Sequence, residues 1–334
     1  MIRKVFSIPG LITLTLLLII AYLGLWVYLR STVASGVASY ISELKMEGYQ
    51  VEHGGLSIKG FPFSINAQTP NLTIQTAPNT SAGASGLWSF QTNQVDMFTP
   101  TLTPLSWSIR HGGTLAVNSV VSSFDVSPAD IDADVAYSFT GRLKSFRADL
   151  KETVILSRSG ETPAILGLKK AKTEIEVNND IASVEVHADD VILSPQLLGD
   201  AMTVLGQNLN TFALKGEIEN WSLLETEGLD IWLQSPAKIK SDVWTLKWGN
   251  LDLVGSCDLG FQNRLPEGVI GFRVKNIEAL LNSLTQLGML DSNFASQIEA
   301  VANTMDSDTD GRKLIEITIR DGVIKYGFFT LYRL

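Results

Sequence analysis

The chain has 334 residues, a formal net charge of −9 and a hydrophobic share of 45%. That length allows one large domain or two small ones, and the acidic balance argues against nucleic acid and against charge-driven binding to anionic headgroups. Its single cysteine, Cys257, excludes an internal disulfide and is expected as a small buried residue between strands.

From the N-terminus, Ile8 to Leu29 carries no charged side chain. A helix of that length spans about 33 Å at roughly 1.5 Å per residue, which matches a hydrocarbon core of about 30 Å. Arg3 and Lys4 precede it and Arg30 closes it. Tyr22, Trp26 and Tyr28 gather towards its far end, where amphipathic rings prefer the headgroup layer. An uncleaved anchor and a cleaved signal peptide are the two readings. Val33-Ala34-Ser35 and Val37-Ala38-Ser39 resemble cleavage sites, but the apolar run of a signal peptide is usually about 7–15 residues, so the length favours an anchor. Either way the positive flank stays inside and the rest of the chain leaves the cytoplasm. Residues 1–30 are therefore read as a membrane anchor. Residues 31–48 follow as a juxtamembrane stalk helix, with Val33, Val37, Ile41 and Leu44 on one face and Gly48 as its stop. That stripe is expected to pack on the following domain rather than on a partner helix.

At Tyr49 the period changes to two. Tyr49 and Val51, Leu56 and Ile58, Phe61, Phe63 and Ile65, and Leu72 and Ile74 alternate with polar residues. Gly54-Gly55 suits a hairpin turn and Pro62 marks an edge or a bulge. Residues 76–86 read as a loop. Alternation resumes through Trp88 and Phe90, Trp107 and Ile109, Leu115 and Val117, and Phe124 and Val126, with a turn at His111-Gly112-Gly113. Further strands are predicted around Val135 to Phe139, Leu143 to Leu156, Ile175 to Val177 and Val184 to Leu193. Ser159 to Pro163 and Asn178-Asn179-Asp180 supply turns. Ser194 with Pro195 at the first helical position opens a predicted helix whose stripe runs from Leu197 to Leu209. Strands are predicted again at Phe212 to Ile218, Leu229 to Leu233, Trp244 to Trp248 and Leu251 to Leu253. Ile277 to Leu284 and Phe294 to Val301 read as helices. Asp321-Gly322, between Leu314–Arg320 and Val323–Tyr326, is the best short hairpin signal in the chain.

Many short strands, a few helices and no strand–helix–strand rhythm predict an α+β chain, predominantly antiparallel β. The expected architecture is an N-terminal transmembrane helix and stalk helix, then a large elongated β-sheet domain over 49–334 with about three helices. A candidate subdivision lies near 194–211.

Gly60-Phe61-Pro62-Phe63 after a strand, Trp244-x-Leu246-x-Trp248 before Leu251-x-Leu253, Gly268-x-Ile270-x-Phe272 before Leu280-Leu281-x-x-Leu284, and the closing Asp321-Gly322 together carry a resemblance. The chain resembles a bacterial family of unknown function, domain 2125, described mainly in alphaproteobacteria. More distantly it resembles the AsmA-like envelope proteins, which share an N-terminal anchor and a long β-rich periplasmic part. The first resemblance implies architecture and location and no reaction, and the second implies lipid handling in the envelope.

Chemistry-bearing constellations are few. Asp306-x-Asp308-x-Asp310-Gly311 reproduces positions 1, 3, 5 and 6 of a calcium loop, but Ile317 stands where the bidentate glutamate belongs. A solvated acidic turn is the expectation, with no metal. His53, His111 and His187 have no ligand or base at a recognised spacing. No nucleophile elbow, phosphate loop or dinucleotide fingerprint is present, so neither an enzyme nor a cofactor is expected. Gly60, Phe61, Pro62 and Phe63 are read as a structural motif, a kink at a strand end with both phenylalanines packed beneath it. The tryptophans beyond the anchor are read as sheet core.

The expected protein is therefore single-pass in a bacterial inner membrane through Ile8 to Leu29, N-terminus cytoplasmic, with its main domain in the periplasm and no nucleic-acid partner. Two functions fit. One is binding of lipid, its acyl chains or another hydrophobic ligand in envelope maintenance. The alternative is a structural or partner-binding envelope protein without a small-molecule ligand.

Overall fold

The computed structural model describes residues 8–76, 88–111, 113–119, 123–127, 130–158, 163, 165–199, 202–262, 264–275, 277–286, 288, 290–303, 307–326 and 329–333. The chain divides into two compact units. The first comprises Met1–Ser127, Ile131–Arg142 and Arg158–Gly160; the second comprises Pro128–Asp130, Leu143–Ser157 and Glu161–Leu334. Residues 194–211 lie within the second.

The first unit begins with one long helix, α1 (Ile8–Met46), which merges the predicted anchor and stalk. It is the one helix among the described residues long and apolar enough to cross a membrane. Residues in its apolar half such as Ile12, Leu16, Leu18 and Ile20 are largely exposed. The exceptions fall on one stripe. Tyr22, Leu23, Leu29, Val33, Val37, Ile41 and Leu44 are half-buried and Trp26 is buried. The predicted stalk stripe thus packs on its own domain and extends down into the apolar run.

Beside the helix stand β1 (Tyr49–Glu52), β2 (Ser57–Lys59), β3 (Ser64–Thr76), β4 (Trp88–Pro100), β5 (Ser106–His111), β6 (Leu115–Ser119), β7 (Ser123–Ser127) and β8 (Asp130–Tyr137). Gly54-Gly55 does not make the predicted hairpin. Both β1 and β2 pair with β3, one along each half, so they form one interrupted strand. The same holds one layer on: β5 and β6 both pair with β4, and β8 and β7 continue outward on β5 and β6. The result is an antiparallel meander whose strands break at one level. There the Gly54 amide donates to the Pro70 carbonyl at 2.8 Å, and Asn71 adopts a positive φ of 51°. His111 ties the break together. Its buried ring places Nδ1 3.0 Å from both Thr92 Oγ1 and the Gln94 carbonyl, and Nε2 3.3 Å from the Gly113 carbonyl.

The second unit is a consecutive antiparallel meander of β9 (Leu143–Ser157), β10 (Ile165–Asn178), β11 (Ile181–Leu193), β12 (Asn208–Glu219), β13 (Lys238–Trp248), β14 (Leu251–Gln262), β15 (Leu265–Lys275), β16 (Lys313–Arg320), β17 (Val323–Tyr326) and β18 (Phe329–Arg333). Its tight turns suit the right-handed strand twist. Asn179 and Asp180 take φ of 49° and 68°, and Asp321 and Gly322 take 52° and 68°, the paired positive φ of a two-residue hairpin loop.

Two predicted elements change type. The helix after Ser194 is two four-residue turns, α2 (Pro195–Leu198) and α3 (Met202–Leu205), and Leu209 already belongs to β12. Ser194 caps it as expected, its Oγ accepting from the Gln196 amide at 3.2 Å. Leu229 to Leu233 is not a strand. After α4 (Trp221–Glu227) it forms α5 (Leu229–Trp232), because Trp232 is pinned by an indole hydrogen bond of 2.8 Å to the Glu219 carbonyl and by Phe261, 5.4 Å away. The two later helices stand as predicted, α6 (Ile277–Gln286) and α7 (Ser292–Asn303). They bury Ile277, Leu281 and Ala295 with Val274 and pack on Leu253, Phe272 and Ile315.

Candidate functional site

In the second unit the register sorts side chains by face. Thr173, Val186, Leu214, Trp244, Gly255, Phe272 and Ile315 stand opposite one another in one row from β10 to β16. Ala171, Ala188, Phe212, Leu246, Leu253 and Val274 form the next row on the same face. Leu150 of β9 extends the second row opposite Ala171, and Phe146 stands opposite Ile175 in a further row on the same face. The other face carries rows such as Glu174, Glu185 and Lys215. Period-two alternation, held in register over successive strands, has produced one continuous apolar face and one charged face.

Coverage of that apolar face is partial. Among the described residues the cluster under α6 and α7 reaches β14, β15 and β16 and stops there. Phe146, Ile175, Val184, Val186, Phe212, Leu214, Trp244 and Leu246 are all half-buried. At about 4.8 Å per strand, the part of the row outside that cluster, from β10 to β13, runs roughly 14 Å. One leaflet of a hydrocarbon core is about half of 30 Å, so the open stretch matches the length of one acyl chain's leaflet. Its floor is shaped by a cross-strand pair. The Trp244 ring lies over Gly255, where an added Cβ would come within 2.3 Å of Cε2, and it meets Phe272 at 6.5 Å. Cys257 lies on the same face, paired with Ser241 and Ile270, and burial pushes its thiol above the ordinary range. The predicted role of a small residue between strands holds, although Cys257 is half-buried rather than fully enclosed.

Depressions with charged rims lie elsewhere in the unit. One, of about 610 Å³ beside α5, is lined by Ala237, Phe261 and Val269 together with Lys238, Asp258 and Glu267, charges unsuited to an acyl chain. A second, of about 500 Å³, carries Lys151, Lys169, Lys170, Asp189 and Asp190.

In the first unit the predicted structural motif is a turn that meets α1. The Trp26 indole donates to the Ser64 carbonyl at 2.7 Å, and the Phe61 ring meets Trp26 edge-on at 4.9 Å. Arg30 lies over the Trp26 ring, 5.8 Å from its centroid. Gly60, at φ 100°, must be glycine, since a Cβ would strike Ser64 Oγ at 2.5 Å. The Phe61–Pro62 bond is cis. The phenylalanines do not pack beneath the kink: Phe61 is 58% and Phe63 75% exposed. The chain reverses between the two rings, so period two no longer decides which side they face.

The acidic turn is neutralised internally. Asp306 lies outside the described residues. Asp308 Oδ1 accepts from the Asp310 and Arg312 amides at 2.9 Å, which holds its carboxyl below the usual range. The Arg312 guanidinium pairs with Asp310 and reaches Asp252 at 3.3 Å. No group of three metal-ligating side chains occurs among the described residues. His111 is spent on the strand break, and His187 Nε2 pairs with Asp189 at 2.8 Å. Of the tryptophans beyond the anchor, Trp232 is fully buried. Trp107, Trp221, Trp244 and Trp248 are half-buried, a departure from the expectation of sheet core.

Neither apolar surface was fully visible in the sequence. Alternation announced a two-faced sheet, but the row that joins Leu214 to Trp244 and Phe272 depends on register. Trp26 and Phe61 are joined only in three dimensions.

Comparison with known proteins agrees with the resemblance in family and adds no activity. No curated protein matches the chain, and no solved structure matches it. The family described as an uncharacterized protein conserved in bacteria, DUF2125, matches residues 26–334, and the chain belongs to that family.

Proposed function

We propose that this is a single-pass inner-membrane protein whose β-rich part stands in the periplasm and holds a lipid acyl chain or another hydrophobic ligand along the apolar face of the second unit. It catalyses no reaction and serves envelope maintenance. The observation that carries this reading is the half-covered row from Thr173 to Ile315, apolar throughout apart from the Thr173 hydroxyl. Contiguous apolar surface beyond a few hundred Å² is rare on proteins that bind nothing. An acyl chain laid on it gains roughly 0.8 kcal/mol per buried methylene. The positive N-terminal flank of α1 supports the orientation.

The test is mass spectrometry of lipids that copurify with the full chain, compared with a Val186→Asp/Leu214→Asp variant. Both residues face the row away from α6 and α7. Lipid bound by the native chain and lost from the folded variant supports the reading. Equal lipid in both, or none in either, removes it and leaves the structural or partner-binding alternative.

A further inference from the structure

We propose that the first unit has a second membrane contact besides α1. A rim of three turns carrying Phe61, Phe63, Leu102 and Phe139 sits in the outer part of the same bilayer.

The three turns lie side by side at one end of the sheet. Residues 60–63 lead into β3, 101–105 join β4 to β5, and 138–141 follow β8. Hydrogen bonds link them in sequence. The Thr101 amide donates to the Phe63 carbonyl at 3.0 Å and Thr101 Oγ1 to the Pro62 carbonyl at 2.9 Å. The Tyr137 amide donates to the Leu105 carbonyl at 2.9 Å.

Two observations select the occupant. The first is depth. Trp26, which holds this rim through Ser64 and Phe61, stands three residues before the end of the apolar run at Leu29. At roughly 1.5 Å per residue the rim is about 5 Å below that end. Interfacial elements insert about 5–10 Å into the headgroup and acyl boundary. If α1 spans the bilayer, the rim is placed in that layer without any movement of the domain. The second is chemistry. The three turns read Gly-Phe-Pro-Phe, Thr-Leu-Thr-Pro-Leu and Ser-Phe-Thr-Gly, with no charge in a chain of net charge −9. Yet Phe63 and Leu102 are each 75% exposed and Phe139 is 100% exposed. Three large apolar side chains at the tips of adjoining turns, all at the level of an aromatic belt, match a lipid interface. The charges that flank the rim directly, Lys59, Arg142 and Arg30 over Trp26, are all basic, whereas the acidic Glu43, Glu47 and Glu52 lie towards the opposite end of the helix–sheet contact.

The test uses the full chain in vesicles of phosphatidylethanolamine and phosphatidylglycerol. On a Cys257→Ala background, single nitroxide labels are placed at Phe63→Cys, Leu102→Cys and Phe139→Cys. Leu18→Cys marks the span, and Glu47→Cys follows directly on the end of α1, which lies about 30 Å further along the helix than Trp26. Collision with oxygen, which partitions into lipid, is compared with collision with an aqueous nickel chelate. The expected oxygen-to-nickel ratio at the three rim sites is several-fold above that at Glu47 and close to that of a shallow lipid position. Rim ratios equal to that of Glu47, with Leu18 in lipid, overturn the rim contact and leave the anchor standing. Rim labels that are immobile and shielded from both reagents mean a protein occupant, and they overturn it too. A Leu18 label in water overturns both the anchor and the rim.

Discussion

Trp26 offers the sharpest test of how the helix and sheet are joined. Replacing it by phenylalanine keeps an aromatic ring beside Phe61 but removes the indole hydrogen bond to the Ser64 carbonyl. A hydrogen bond of this kind contributes about 1 kcal/mol net. Replacing it by alanine also removes the edge-on aromatic contact, worth about 0.5–1.5 kcal/mol beyond its area, for a combined loss of about 1.5–2.5 kcal/mol. At 1.4 kcal/mol per factor of ten, local opening of the 60–64 turn should rise about 5-fold in Trp26→Phe and up to about 60-fold in Trp26→Ala. The amides of Ser64, bonded to Gly60, and Thr101, bonded to Phe63, report that opening directly. Hydrogen exchange of the full chain in nanodiscs measures it, with the β11–β12 ladder as an internal reference. Unchanged exchange at Ser64 and Thr101 in Trp26→Ala would refute the coupling of helix to turn. Equal acceleration in both variants would instead assign the effect to the hydrogen bond alone.

Other perturbations follow from single contacts. His111→Ala removes the ring from the buried Thr92 hydroxyl and the Gln94 carbonyl and leaves them only their own long contact of 3.4 Å. It should lower the stability of the first unit by about 1–3 kcal/mol, read as a lower denaturant midpoint; an unchanged midpoint would deny the ring its role at the strand break. Gly255→Ala drives a methyl into Trp244, 2.3 Å from Cε2. It should cost about 1–3 kcal/mol and alter the near-ultraviolet circular dichroism, and native values of both would contradict the stacked geometry. For Asp308 the folded pKa lies below the unfolded one, so its contribution is present above the unfolded value near 3.8 and is lost as pH falls through the folded value. Asp308→Asn should therefore lower stability at neutral pH and flatten the acid limb below about pH 4, and a native-like acid limb would count against the Arg312 amide as the cause. Millimolar calcium should leave the melting temperature unchanged, because Asp308 and Asp310 already serve Arg312.

What the sequence determined by itself was local and periodic. An uncharged run long enough for a bilayer can form only a helix there, since every backbone group must be bonded within the segment. The stripe Val33, Val37, Ile41 and Leu44 named the face that packs, because side-chain direction repeats with the helical turn. Asp321-Gly322 named its own turn through the positive φ both residues tolerate. The tertiary structure decided everything that depends on which distant segment is the partner. Gly54-Gly55 and Gly113 punctuate single long strands, because the neighbours β3 and β4 run straight past the break. Leu229 to Leu233 alternates like a strand but coils, because Trp232 finds Glu219 and Phe261. Phe61 and Phe63 carry a strand's spacing yet point outward from a turn, because the Trp26 indole binds the Ser64 carbonyl from 38 positions away in the chain. Alternation predicted that an apolar face exists. Only register could make Val186, Leu214, Trp244 and Phe272 neighbours on it, since a slip of one residue would send each to the charged side.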